Sequence, residues 1–272
     1  MKLPQYTFDW RGILALFTGG FLPVFILSAA NVALMFLDGN NLQYSDFFLV
    51  VSNLVMWLGA IMAFDYFVCR PQTGLKLNFN MSPTNVGTYL LIFPMMLGMM
   101  FVAEFITSLI PVSGPVFGKL YEYFSQMMDQ LTRTPSTMIL LTVIMAPLFE
   151  EIVFRGIIQR GLMNGGMKPM TAIWTAAVIF GIVHGNPWQF VGAVLLGFVL
   201  GTVYYRTHSL LLSIFLHAFN NLCSSLLMMY AGSESFADLF HLPEWILFVA
   251  GSLIFAVCYY FFILRNKVYY AE

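Results

Sequence analysis

Long apolar runs set the plan of this chain. Runs of about 20 residues, enough for a helix to cross a bilayer, occupy 12-37, 46-69, 86-110, 136-161, 170-186, 188-205, 209-230 and 245-264. Polar and Gly/Pro-rich connections separate them: DGNN at 38-41, RPQTGLKLNFNMSPTN at 70-85, NGGMKP at 164-169 and GSESFADLFHLPE at 232-244. The pattern predicts an all-α fold, a polytopic membrane helical bundle of about eight transmembrane helices, forming a single integral membrane domain over 1-272. The segment 111-135 is too polar to span. Its Val116, Leu120, Tyr123, Phe124, Met127, Met128 and Leu131 recur at helical spacing, so it predicts an amphipathic helix that lies at the interface or roofs a cavity.

The distribution of basic residues adds an orientation. With the N-terminus inside, Lys2, Arg11, Arg70, Lys76, Arg155, Arg160, Lys168, Arg206, Arg265 and Lys267 fall on or near the cytoplasmic side, and only Lys119 and Arg133 fall outside. Both the N- and C-termini are then cytoplasmic. The apolar segment that follows MKLPQYTFDWRG is too long for a signal-peptide core, so the first helix is expected to stay in the mature protein.

Composition narrows the classes. Of the 272 residues, 60% are hydrophobic, 17% aromatic and only 9% charged, which sets the lipid bilayer as the surroundings. A net charge of -1 gives no basic surface, and no nucleic acid is expected as a partner. Cys69, Cys223 and Cys258 stand singly in apolar segments without metal spacing. The absence of a sorting signal points to a multi-pass protein of a cell membrane, with a bacterial plasma membrane preferred.

Ionisable residues at membrane depth are costly, and the default expectation for them is function. Glu104, Glu150, Glu151, Arg155, His184 and His217 are in this position, with Asn221 as a neutral addition. In FEEIVFRG, Glu151 and Arg155 are four apart in the favourable order for an ion pair. Glu150 lies about 100° around the helix from Glu151, so it points elsewhere, desolvated, as suits a general base. A structural charge cluster near the headgroups is the alternative. In FGIVHGNP, His184 precedes a Gly-Asn-Pro break, and counting from the turn near Gly165 places it at a depth similar to Glu150. In SIFLHAFNN, His217 and Asn221 are one turn apart on one face, while Asn220 is rotated off it. That pair suits orienting a water or donating to an oxyanion, and interhelical hydrogen bonding is the alternative. Glu104 has no partner that the sequence names.

Taken together, Glu150-Glu151-x-x-x-Arg155, Phe180-x-x-x-His184 and His217-x-x-x-Asn221, in that order on successive helices, resemble the CPBP family of CAAX-protease and bacteriocin-processing enzymes, also called ABI. The motifs span roughly 150-221 within an expected catalytic core of approximately 136-230. The resemblance implies an intramembrane endopeptidase, similar to type II CAAX prenyl proteases. By position, Glu150 would activate water with His184, His217 and Asn221 would stabilise the oxyanion, and Glu151 with Arg155 would support the first motif. The family is linked to peptide and bacteriocin processing and to self-immunity, which implies a peptide or membrane-protein substrate.

Two choices stay open in the residues. A catalytic zinc takes three protein ligands, which Glu150, His184 and His217 can supply, yet no HExxH is present; no cofactor, with a metal-free glutamate mechanism, is the preferred expectation. The competing function is a non-proteolytic interaction or immunity protein that regulates a partner such as a sensor kinase, a membrane signalling protein. A transporter fits less well, because the polar residues gather in one part of the chain rather than in matching halves.

Overall fold

A computed structural model of the chain describes residues 5-39, 41-43, 45-233 and 235-267; Lys2, Asn40 and Glu234, which entered the loop and orientation readings, lie outside them. The described residues form ten helices and no strand: α1 Trp10–Asp38, α2 Asp46–Thr73, α3 Val86–Ser108, α4 Phe117–Thr132, α5 Pro135–Asn164, α6 Pro169–Ile182, α7 Pro187–Thr207, α8 Leu210–Ala231, α9 Phe236–Phe240 and α10 Glu244–Arg265. Seven of them, α1, α2, α3, α5, α7, α8 and α10, are long and apolar enough to cross a membrane. The eighth expected span, 170-186, is the one that differs. α6 has 14 residues, about 21 Å at 1.5 Å per residue, against a hydrocarbon core of about 30 Å. The cause is local: Gly185 takes φ 71° and Asn186 begins a new helix.

Polar residues of the connections start the helices. Asp9 Oδ1 accepts from the Arg11 amide at 2.9 Å, Asn186 Oδ1 from Gln189 at 2.9 Å and Ser209 Oγ from Leu212 at 3.4 Å. Each satisfies an N–H that the first turn leaves without an intrahelical acceptor. Three of the long helices contain π segments: Asp65–Cys69 in α2, Leu140–Met145 and Ile152–Gln159 in α5, and Leu227–Ala231 in α8.

The chain divides into two compact units, with the division falling inside α5 between Arg155 and Gly156. The first comprises 1-78 and 156-167. There α1 and α2 approach at Gly19 and Gly59, where a Cβ on either glycine would meet the other's carbonyl oxygen at 2.5 Å or less. The Tyr6 hydroxyl donates to the Gly156 carbonyl, and the Phe8 amide donates to Gly161 at 3.1 Å.

The second unit comprises 79-155 and 168-272. Its core joins α3, α7, α8 and α10 through Ile92, Met95, Met96, Leu200, Leu212 and Phe262. α3 and α10 cross at Gly98 and Gly251: a Cβ on Gly98 would lie 2.7 Å from the Gly251 oxygen and 2.8 Å from the Phe255 nitrogen. Small residues are what allow two helices to approach this closely. Gly98→Leu is therefore expected to destabilise the protein by about 1–3 kcal/mol, read as a lower unfolding temperature in detergent.

α4 has the amphipathic character predicted for 111-135. Phe124 is buried, and Trp188 at the start of α7 takes Phe117, Tyr121 and Phe124 at centroid distances of 6.5, 5.0 and 5.9 Å. Glu104, unexplained by sequence, accepts from the Ser235 hydroxyl at 2.6 Å and the Ala237 amide at 3.1 Å. It fastens α3 to the start of α9.

Large apolar side chains such as Phe17 and Phe21 in the first unit and Leu253 in the second are exposed. With seven apolar helices of spanning length, these describe a membrane protein whose outer faces meet lipid.

Candidate active site

The six residues singled out in the motifs lie in the second unit, on three pieces of structure. Glu150 and Glu151 end the short α-helical stretch Ala146–Glu151, held between the two π segments of α5, and Arg155 lies in the second of those segments. His184 follows the last turn of α6, and His217 and Asn221 are on α8. π segments inside α-helices often occur at functional sites.

Glu151 is the centre of the arrangement. Its Oε1 accepts from Arg155 Nη1 at 2.6 Å and faces His217 Nδ1 at 2.8 Å. Relative exposures of 0%, 1% and 5% for Glu151, Arg155 and His217 make this a dry ionic group. Such a group is tolerable only when each charge has its partners. Arg155 is held further: Nη2 donates to the Gly197 carbonyl at 3.1 Å, and the guanidinium lies 4.8 Å from the centre of the Phe180 ring. A Cβ at Gly197 would meet Arg155 Nη2 at 3.3 Å and Ala177 Cα at 3.2 Å, so glycine there makes room for both contacts.

Because a carboxylate oxygen bound to arginine has no proton to give, the Nδ1–H of His217 is the donor to Glu151. That leaves Nε2 directed at Glu150, whose Oε2 is 3.8 Å away. The histidine thus stands between both glutamates. Glu150 is the more accessible of the two, with 17% of its side chain exposed against 0% for Glu151.

His184 Nδ1 is 2.7 Å from the Phe180 carbonyl. The carbonyl only accepts, so Nδ1 carries the proton and Nε2 keeps its lone pair. The Phe180 ring meets the His184 ring edge-on at 4.9 Å and the His217 ring at 5.7 Å. One aromatic side chain therefore spaces the two imidazoles and carries the Arg155 cation.

Asn221 Nδ2 donates to the Thr142 carbonyl at 2.7 Å, and Asn221 Oδ1 accepts from Asn220 Nδ2 at 2.8 Å. Thr142 lies in the first π segment of α5, and its hydroxyl is 3.2 Å from Ser225 on α8. These are residues that sequence reasoning missed. Asn220, which the helical wheel turns off the face of His217, is tied to Asn221 through its side chain. No spacing rule signals the Thr142 contact, because its acceptor is a backbone atom 79 residues away.

Among the described residues, no group of three or more His, Cys, Asp and Glu is placed to hold a metal ion. His217 Nδ1 and His184 Nδ1 are each committed to an oxygen of the protein.

Residues 132–223 match the model of a family described as type II CAAX prenyl endopeptidase Rce1-like. The match spans all three motifs and the Thr142 contact. Neither the curated proteins nor the solved structures offer a match to the chain. Over residues 132–223, therefore, this chain is similar to the Rce1-like family of type II CAAX prenyl endopeptidases.

Proposed function

We propose that the protein is an intramembrane glutamic endopeptidase, which hydrolyses a peptide or membrane-associated protein with Glu150 as general base and without a metal. The observation that carries this reading is the Glu151-His217-Glu150 arrangement. One glutamate is sealed against arginine and orients a histidine, while the neighbouring glutamate is left free of arginine and partly accessible. A pair of like groups in unlike surroundings is how one site separates a structural from a reactive carboxylate.

In the proposed reaction Glu150 takes a proton from a water, and the water oxygen forms a bond to the scissile carbonyl carbon. His184 assists with Nε2, whose lone pair the Phe180 carbonyl leaves available. The carbonyl oxygen becomes negative, and two donors are at hand for it. Asn221 has two amide N–H groups, one on Thr142 and one for the oxyanion. His217 donates from Nε2 when its ring carries both protons. The carbon-nitrogen bond then breaks, and Glu150 returns its proton to the departing amine.

Several roles are supporting ones. Arg155 holds Glu151 in place, Glu151 keeps His217 in register, and the Thr142 carbonyl with Asn220 fixes the Asn221 amide. The proposed reaction uses no metal, a reading supported by the absence, among the described residues, of three His, Cys, Asp or Glu side chains placed to hold one ion. The substrate class that agrees with the matched family is a prenylated or otherwise membrane-held polypeptide, presented at a bacterial plasma membrane.

The oxyanion role is tested by Asn221→Ala on the purified protein in proteoliposomes. We expect kcat to fall by about 10²–10³ with KM little changed, while Asn220→Ala costs less because it removes only a positioning contact. An Asn221→Ala enzyme with unaltered kcat would overturn that role. Chelator treatment of the wild-type protein is expected to leave cleavage unchanged; loss that zinc restores would replace the metal-free mechanism with a metal-dependent one.

A further inference from the structure

The first unit contains a site of a different kind. Beyond their contact at Gly19 and Gly59, α1 and α2 leave a groove of about 380 Å³, within the size range of small-molecule sites, about 300–1,000 Å³. Its body is apolar, formed by Leu22, Pro23, Met62, Ala63 and Phe67. Its polar end is the Asp65-Arg70 pair at the π segment of α2.

That pair is built rather than incidental. Arg70 donates to Asp65 Oδ2 from Nε at 2.8 Å and from Nη2 at 2.5 Å, and Asp65 Oδ1 accepts from the Leu77 amide at 2.7 Å. The guanidinium is thereby held in one orientation with 44% of the side chain exposed. Of its five N–H groups, two point at Asp65, which leaves three for an external acceptor.

Position selects the ligand. α2 runs 28 residues to Thr73, about 42 Å at 1.5 Å per residue, which exceeds the hydrocarbon core and brings Arg70, in its last turn, to headgroup depth. Gly59 lies 11 residues earlier in the chain, about 16 Å deeper by the same rise. An arginine fork suits a phosphate, and an apolar groove leading inward from it suits a hydrocarbon chain. We propose that this groove holds one bilayer phospholipid, its phosphate on the outward N–H groups of Arg70 and one acyl chain between α1 and α2. This inference is independent of the proteolytic reading.

The test is native mass spectrometry of the full chain in detergent, titrated with dioleoyl phosphatidylglycerol or with dioleoylglycerol, which lacks the phosphate. The wild type is expected to retain one phosphatidylglycerol per chain. Arg70→Gln should retain it about tenfold less well, and Met62→Trp, which fills the groove but keeps the Asp65-Arg70 pair, should also lose it. Leu253→Trp, on the exposed face of α10, should bind as the wild type does. Dioleoylglycerol should not be retained. Wild-type retention by Met62→Trp, or equal retention of the two lipids, would overturn the proposal; should Arg70→Gln fail to fold, the Met62→Trp comparison still decides it.

Discussion

Glu150→Gln is expected to abolish hydrolysis while leaving the protein folded. The change is nearly isosteric and removes a base. A positioned general base contributes about 10²–10⁴-fold to a hydrolytic rate, and the amide that replaces it cannot accept the proton of the attacking water. The fold should tolerate the change because Glu150 has no arginine of its own: the Arg155 hydrogen bond goes to Glu151. The unfolding temperature of Glu150→Gln in detergent should therefore stay close to that of wild type, while product formation falls to background. An interaction protein that used the same helices only for binding would keep its function in this variant.

Arg155→Met is expected to have the opposite signature, a collapse of stability. Arg155 is the cation at the centre of the second unit's polar cluster, 1% exposed, bound to Glu151 at 2.6 Å and to the Gly197 carbonyl at 3.1 Å. Removing one member of a buried ion pair strands the other, a loss of about 3–5 kcal/mol. In a chain of this size that corresponds to a fall of roughly 10 °C in Tm. Because the cost comes from the stranded carboxylate, adding Glu151→Met should recover part of the stability. It should not recover activity, since His217 then loses the acceptor of its Nδ1–H. Circular dichroism melts of the two variants, beside an activity measurement, separate these effects.

The sequence carried part of this account and withheld the rest for physical reasons. Spanning helices were legible because the bilayer imposes a length on apolar runs, and the Glu151-Arg155 pair because four residues is one helical turn. The run 170-186 reads as a span because most of its residues up to Val183 are apolar. The Gly185-Asn186 turn that shortens it is a local conformational effect, which hydropathy does not measure. The 100° per residue of a regular α-helix does not hold throughout α5, because the π segments on either side of Glu150-Glu151 change its phase.

The contacts that organise the site are long-range. His217 meets Glu151 across 66 residues, Asn221 meets Thr142 across 79, and Glu104 finds Ser235 across 131. No periodicity within one helix announces a partner on another. By position Glu151 pairs with Arg155 in support of the first motif; its second bond, to His217, joins the first and third motifs into one unit.

The central claim, that Glu150 activates water for peptide cleavage, is tested most directly in membranes from cells that express wild-type protein or Glu150→Gln at equal abundance. Mass spectrometry of the membrane polypeptides should reveal new chain termini in the wild type that vanish in the variant, and those termini identify the substrate. Identical termini in the two membranes, under conditions where the protein's phenotype is active and persists in the variant, would contradict the account.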